Sequence, residues 1–124
     1  MHSPISNQIN TIFVHVSDLK NSVEWYSKLL GQEFDLSIVS RPVYNMTIND
    51  HTGLTLDAGP EGERKEFTPI PYPLFNFHTN EIDQAYEYMG EMDFSIESEI
   101  VRFEDFSYFI ISDPDGNQIM ICTG

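Results

Sequence analysis

Two histidines at matching positions are the side chains of this chain best suited to do chemistry. His15 and His78 each end a short apolar run, and an acidic turn and a stretch with helical periodicity follow each of them. Imidazole titrates near neutral pH, so a pair of such rings could serve as base and acid on one substrate. Either ring could equally be a hydrogen-bonded packing residue, and the sequence leaves both interpretations open.

The two histidines belong to an internal repeat. When the sequence is shifted by 63 residues (78 − 15), the histidines coincide, Leu19 falls on Ile82 and Trp25 falls on Tyr88. A repeat of this kind indicates two copies of one supersecondary unit. Duplicated units usually bind their ligand where the two copies meet, so we expect His15 and His78 to line a cleft between two modules.

Side-chain periodicity predicts the elements that carry the first histidine. Alternation of apolar and polar residues indicates strands, and the spacing of Leu19, Val23 and Tyr26 indicates a helix. Ser17 or Asp18 caps this helix, and Gly31 ends it. The predicted elements are a strand at 9–16, a helix ending near residue 30, and strands at 33–40, 42–48 and 54–57.

The second half repeats the order of the first. Asn80 is expected to cap a helix that runs to about residue 89 and ends at Gly90. The strands are predicted at 74–79, 94–101, 106–112 and 118–122, with a tight turn at 113–116 (Asp-Pro-Asp-Gly). We therefore expect a single domain over 1–124, made of module one at about 9–57, a Pro- and Gly-rich linker at about 58–73, and module two at about 74–122.

The composition excludes several classes of partner. Twenty Asp and Glu against six Lys and Arg give an acidic protein with a formal charge of −14, which repels nucleic acids and anionic membranes. No apolar run is long enough to span a membrane, and the first residues lack the pattern of a secretory signal. The lone Cys122 cannot form an internal disulfide, which suits a reducing cytoplasm. Cationic small molecules would be attracted to such a surface.

Three segments carry a family resemblance. Residues 16–31 (VSDLKNSVEWYSKLLG), 80–86 (NEIDQAY) and 109–119 (FIISDPDGNQI) resemble, in order, motifs of the glyoxalase/bleomycin-resistance/dioxygenase group, also called the vicinal oxygen chelate superfamily. The resemblance implies an α+β fold of two βαβββ modules, whose curled mixed sheets form a cleft. It also implies a homodimer, since single-domain members of this size commonly pair.

The same resemblance implies a metal site whose ligands are missing. Metal-dependent relatives hold a divalent ion with four His and Glu side chains, and the corresponding positions here are Thr11, Thr55, Leu74 and Met120. Divalent first-row ions need imidazole nitrogens and carboxylate oxygens, which these side chains lack. We therefore expect no metal and no cofactor, and neither glyoxalase nor ring-cleaving dioxygenase activity.

Residues on the strand faces of these four positions form the predicted cleft lining. The expected ligand-binding residues are Phe13, His15, Thr55, Asp57, Asn76, His78, Gln118 and Met120, with Thr11, Leu74 and Cys122 on the same faces. This mixture of apolar and polar side chains is typical of a small-molecule pocket. Plain alternatives exist, because Leu74 and Met120 could fill core and Cys122 could be an inert buried thiol.

Three functions stay open at this point. The first is a metal-independent protein that binds a small cationic or aromatic molecule in the cleft. The second is a lyase- or isomerase-type enzyme that uses His15 and His78 as acid and base, or at a relocated metal site with Asp57. The third is a structural module whose cleft is filled by its own side chains.

Overall fold

The computed structural model describes every residue from Met1 to Gly124. It divides into two compact units, Met1–Phe67 and Thr68–Gly124. The boundary lies within the Pro- and Gly-rich segment at 58–73. Each unit contains one longer helix and one mixed sheet, so the predicted α+β class is confirmed. Neither helix has the length and apolar character that crossing a membrane requires.

The first unit is built around a three-stranded sheet. Its order is β1-β3-β2, with β1 parallel to β3 and β2 antiparallel to β3. The elements of the unit are β1 (Thr11–His15), α1 (Leu19–Leu30), a 3-10 helix (Leu36–Ile38), β2 (Val43–Thr47) and β3 (Gly53–Asp57).

The limits of α1 follow the predicted signals. The Asp18 carboxylate accepts a hydrogen bond from the backbone N–H of Asn21 at 3.1 Å, which satisfies one of the free donors at the helix start. Gly31 adopts the left-handed conformation with φ of 67°, which ends the helix at little steric cost. The helix buries Tyr26 completely against the apolar face of the sheet, where Val14 and Leu56 are also fully buried.

The second unit repeats this topology with more strands. Its sheet has the order β4-β8-β7-β5, and β6 also pairs with β7. As in the first unit, a parallel pair (β4 with β8) adjoins an antiparallel one (β7 with β8). The elements are β4 (Pro73–His78), α2 (Ile82–Glu91), β5 (Ser95–Ile96), β6 (Val101–Arg102), β7 (Ser107–Ser112) and β8 (Gln118–Cys122).

The ends of α2 correct two predictions. The Asn80 side chain is hydrogen-bonded to His78 Nε2 at 2.8 Å, and Glu81 occupies the N-cap position without a side-chain cap. Gly90 lies inside the helix. The chain instead leaves the helix after Met92, where Asp93 takes a positive φ of 60°. A polar residue does here what glycine does at the end of α1, since Asp and Asn tolerate this conformation better than most residues.

Two predicted strands are also wrong. Residues 33–40 form no strand, because Asp35 accepts hydrogen bonds from the backbone N–H and hydroxyl of Ser37 and starts the 3-10 helix Leu36–Ile38. Residues 94–101 contain only the short β5 and the first residue of β6. The number of strands therefore differs from the predicted four in each half, since the first unit has three strands and the second has five.

Candidate functional site

In each unit the predicted site residues lie on the sheet face opposite the helix. The first row of this face in the first unit joins Phe13 of β1, Thr55 of β3 and Asn45 of β2. Phe13 is 64% exposed, whereas Thr55 is 7% exposed. The Thr55 hydroxyl donates a hydrogen bond to Asn45 Oδ1 at 2.7 Å. The row thus presents an open aromatic ring beside a satisfied polar pair.

The next row joins His15, Asp57 and Val43. The Asp57 carboxylate accepts a hydrogen bond from the Gly59 N–H at 2.9 Å and forms an ion pair with Lys65 Nζ at 3.1 Å. The Gly59 hydrogen bond lowers the pKa of Asp57 below its ordinary value, Lys65 and His15 add to this, and partial burial opposes it. Asp57 is therefore an ionised carboxylate whose charge Lys65 already balances.

The loop after β3 forms a pocket that the sequence did not predict. Residues 58–66 lie within the expected linker, yet Lys65 Nζ also donates to the Asp57 carbonyl at 2.8 Å. Arg41 donates to the carbonyls of Ser17, Pro60 and Glu63 at 2.8, 3.2 and 2.8 Å. The folded loop borders an open pocket of about 510 Å³, with a lining that includes Pro42, Val43, Ala58, Pro60, Arg64 and Lys65. Val43 and Asp57 connect this pocket to the row of His15.

The corresponding face of the second unit is less charged. Asn76 lies beside Met120, and His78 lies beside Cys122, in the parallel pair β4 and β8. Asn76 and His78 are exposed, Met120 is half-buried, and Cys122 is 4% exposed. The Cys122 sulfur accepts a hydrogen bond from the Gly124 N–H at 3.2 Å.

Two more predicted positions complete this face. Leu74 on β4 is 37% exposed, so it does not fill the core. Gln118 is half-buried and pairs across the sheet with Ser112 and Pro73.

An aromatic group extends the second face and was missed by the sequence analysis. Tyr108 pairs with Cys122 across β7 and β8, and its ring lies 6.2 Å from the rings of both Phe103 and Phe106. Phe103 at the hairpin tip is 53% exposed. Alternation along the predicted strand 106–112 was sufficient to place Tyr108 and Ile110 on the same face as Cys122 and Met120. Nothing in the local pattern indicated that Phe103 would join them.

The four metal-ligand positions do not fit a divalent ion. The Thr55 hydroxyl is engaged with Asn45, and Leu74 and Met120 offer no nitrogen or oxygen donor. No three His, Cys, Asp or Glu side chains group in a way that could hold a metal ion. A relocated metal site would need Asp57 and His78 as ligands. Asp57 already forms an ion pair with Lys65, and His78 is already hydrogen-bonded to Asn80.

The comparisons with known proteins agree with this fold. The profile of the Glyoxalase/Bleomycin resistance protein/Dioxygenase superfamily matches residues 8–121. A glyoxalase/dioxygenase from Nostoc punctiforme is 22% identical with a TM-score of 0.71, covering 98% of this chain and 97% of its own. The oxidase ChaP-H2 is 21% identical with a TM-score of 0.72, covering 97% of this chain and 95% of its own.

A virulence protein from Salmonella typhimurium is 19% identical with a TM-score of 0.62, covering 95% of this chain and 97% of its own. No curated protein sequence matches this chain. At these identities the structures establish a common fold and leave the activity open.

Proposed function

Because the chain belongs to the glyoxalase/bleomycin resistance protein/dioxygenase superfamily, we propose that it binds a small organic molecule without a metal ion. The binding surfaces are the helix-free faces of its two sheets. One observation carries the proposal: the four family ligand positions hold Thr11, Thr55, Leu74 and Met120. Two predictions remain to be checked. A liganded crystal structure would check the cleft between the modules, and sedimentation would check the homodimer.

The side chains on these faces suit an apolar ligand with a few polar groups. Phe13 exposes most of its ring, and Phe103 and Tyr108 belong to an aromatic group on the second sheet. Aromatic side chains contribute large contact areas and stack on planar rings. Asn76 and His78 supply hydrogen-bonding groups on the second sheet. Small-molecule pockets typically combine these features.

An aromatic ligand is better supported than a cationic one. Asp57 is the one carboxylate among the face residues of the first sheet, and Lys65 lies 3.1 Å from it. A ligand ammonium would have to compete with this internal ammonium. The overall charge of −14 still favours the approach of cations, so both ligand classes belong in the test.

The test is a screen of aromatic and cationic compounds, read by thermal shift and confirmed by calorimetry. We expect planar aromatic compounds to raise the melting temperature, and Zn²⁺, Ni²⁺ or Mn²⁺ to leave it unchanged. Phe13→Ala should weaken binding about fivefold, since a stacked ring contributes about 1 kcal/mol. Ile38→Ala is the matched control, because Ile38 is 70% exposed on the 3-10 helix, outside both sheets. Stabilisation by metal ions alone would refute the proposal.

An acid–base enzyme is a second candidate, favoured by the pairing of His15 with Asp57 across β1 and β3. A carboxylate next to imidazole can orient the ring and stabilise its protonated form. Any turnover found in a substrate screen should then be lost in His15→Gln. Unchanged turnover in that variant would exclude this role for His15.

A further inference from the structure

The pocket beside β3 gathers cationic groups in an otherwise acidic chain. Lys65 and Arg64 line it, together with Asp57 and Glu63, so its formal charges cancel. Arg64 is exposed and makes no ion pair. Elsewhere acidic residues outnumber basic ones, since the whole chain carries −14. This pocket is therefore neutral in formal charge, and an anionic group meets less repulsion there than at the acidic surface elsewhere.

The Lys65 ammonium is held in place by more than its ion pair. It donates to the Asp57 carbonyl at 2.8 Å as well as to the carboxylate at 3.1 Å. An ammonium has three N–H donors, so one remains for a ligand. The Lys65 side chain is only 18% exposed. A cation held this way loses little further freedom when it binds an anion.

The pocket also offers an apolar surface of fixed shape. Pro42, Val43, Ala58 and Pro60 line it beside the charged groups. Arg41 fixes the loop through the carbonyls of Pro60 and Glu63. Val43 and Asp57 line the pocket and also belong to the row of His15, so the pocket adjoins the proposed ligand face.

We propose that this pocket binds the carboxylate of an apolar organic acid, with Lys65 and Arg64 as the recognising cations. The inference rests on the proposed function and narrows its ligand class. The apolar part of the acid lies on Val43 and the two prolines, and its carboxylate receives the remaining Lys65 N–H. Charge-assisted hydrogen bonds of this kind are about twice as strong as neutral ones.

The experiment compares three probes of one shape: 4-phenylbutyrate, 4-phenylbutanamide and 4-phenylbutylamine. Binding is measured by calorimetry, and the site is located by amide chemical shifts. We expect the acid to bind about tenfold more tightly than the amide, as one charge-assisted hydrogen bond implies. The largest shifts should fall on Gly59 and Lys65.

Matched variants separate recognition from damage to the fold. Lys65→Gln and Arg64→Gln should remove most of the preference for the acid. Lys28→Gln should not, because Lys28 forms an ion pair of the same length with Glu24 on α1, which covers the other face of the sheet. Asp57→Asn should instead bind the acid several-fold more tightly. It removes a negative charge, whereas the Asp57 carbonyl still holds Lys65. Mere structural damage would weaken binding in both Lys65→Gln and Asp57→Asn.

The outcomes distinguish the two proposals. If the acid and the amide bind equally, or if the amine binds best, the carboxylate site is refuted and small-molecule binding stands. If Asp57→Asn and Lys65→Gln weaken the binding of the acid equally, Lys65 does not recognise the carboxylate. If no probe binds and the wider screen of aromatic compounds is also negative, the proposed function fails with it.

Discussion

The two units place different chemistry at equivalent positions of the same topology. Asp57 is the β3 neighbour of His15, and Cys122 is the β8 neighbour of His78. An ion pair and a folded loop surround Asp57, whereas Cys122 is a buried thiol beside the aromatic group of Tyr108. The repeat therefore fixes where side chains lie and leaves their chemistry free to diverge. A charged first face and a less charged second face are the result.

The largest effect is expected from the core of the second unit. Phe109 is fully buried and makes an edge-to-face contact with Tyr86 at 5.1 Å. Phe109→Ala should lower the free energy of unfolding by about 3–5 kcal/mol, because it leaves a cavity. Phe103→Ala, at the exposed hairpin tip, should cost less than about 1 kcal/mol. Denaturant titration measures both, and equal costs would show that Phe103 is not open to solvent.

The two hairpin turns provide the next contrast. Asp113 is buried and accepts hydrogen bonds from the N–H groups of Asp115 and Asn117 and from the Asn117 amide, each at 2.9 Å. Asp113→Ala should cost about 2–4 kcal/mol, since buried donors lose their acceptor.

The equivalent turn in the first unit is exposed. Asn49 accepts from the N–H groups of His51 and Thr52 at 2.8 and 2.7 Å. Because water can replace Asn49 there, Asn49→Ala should cost at most about 1 kcal/mol. A larger loss in Asn49→Ala than in Asp113→Ala would reverse the comparison.

The repeat predicted most of the fold, because strand and helix starts obey local rules. The helices begin at Leu19 and Ile82, separated by the predicted 63 residues (82 − 19). The last strands differ by 65 residues (118 − 53), because the loops between them differ in length. Gly31 ends α1 as expected, but Gly90 does not end α2. A glycine permits a left-handed turn without requiring one.

The sites were only partly predictable, for a physical reason. Alternation along strands placed Phe13 and His15 on one face of a strand, and Asn76 and His78 on one face of another; in the structure all four are exposed. It could not predict that Lys65 would return to Asp57 from eight residues away. Such contacts depend on how a loop folds, and the Pro- and Gly-rich composition of residues 58–73 was interpreted as a linker.

The N-terminal caps of the two helices should differ in their contribution to stability, by less than the two turns do. Asp18 caps α1 through the N–H of Asn21, whereas Glu81 makes no side-chain cap for α2. Asp18→Ala should lower the free energy of unfolding by about 1 kcal/mol. Glu81→Ala should change it by less than about 0.5 kcal/mol. Thermal or chemical unfolding of the two variants tests this, and an equal loss in both would mean that Glu81 also caps its helix.

The smallest expected effect is a pH dependence confined to the first unit. Because the folded pKa of Asp57 lies below its ordinary value, its contribution to stability is present at neutral pH. That contribution is lost as the pH falls below about 4, where the unfolded chain takes up the proton first. The stability of Asp57→Asn should therefore fall less than that of the wild type between neutral and acidic pH. Cys122→Ala, at the equivalent position, removes no carboxylate and should follow the wild-type profile. A wild-type profile in Asp57→Asn would show that the Lys65 ion pair and the Gly59 hydrogen bond contribute nothing to folding.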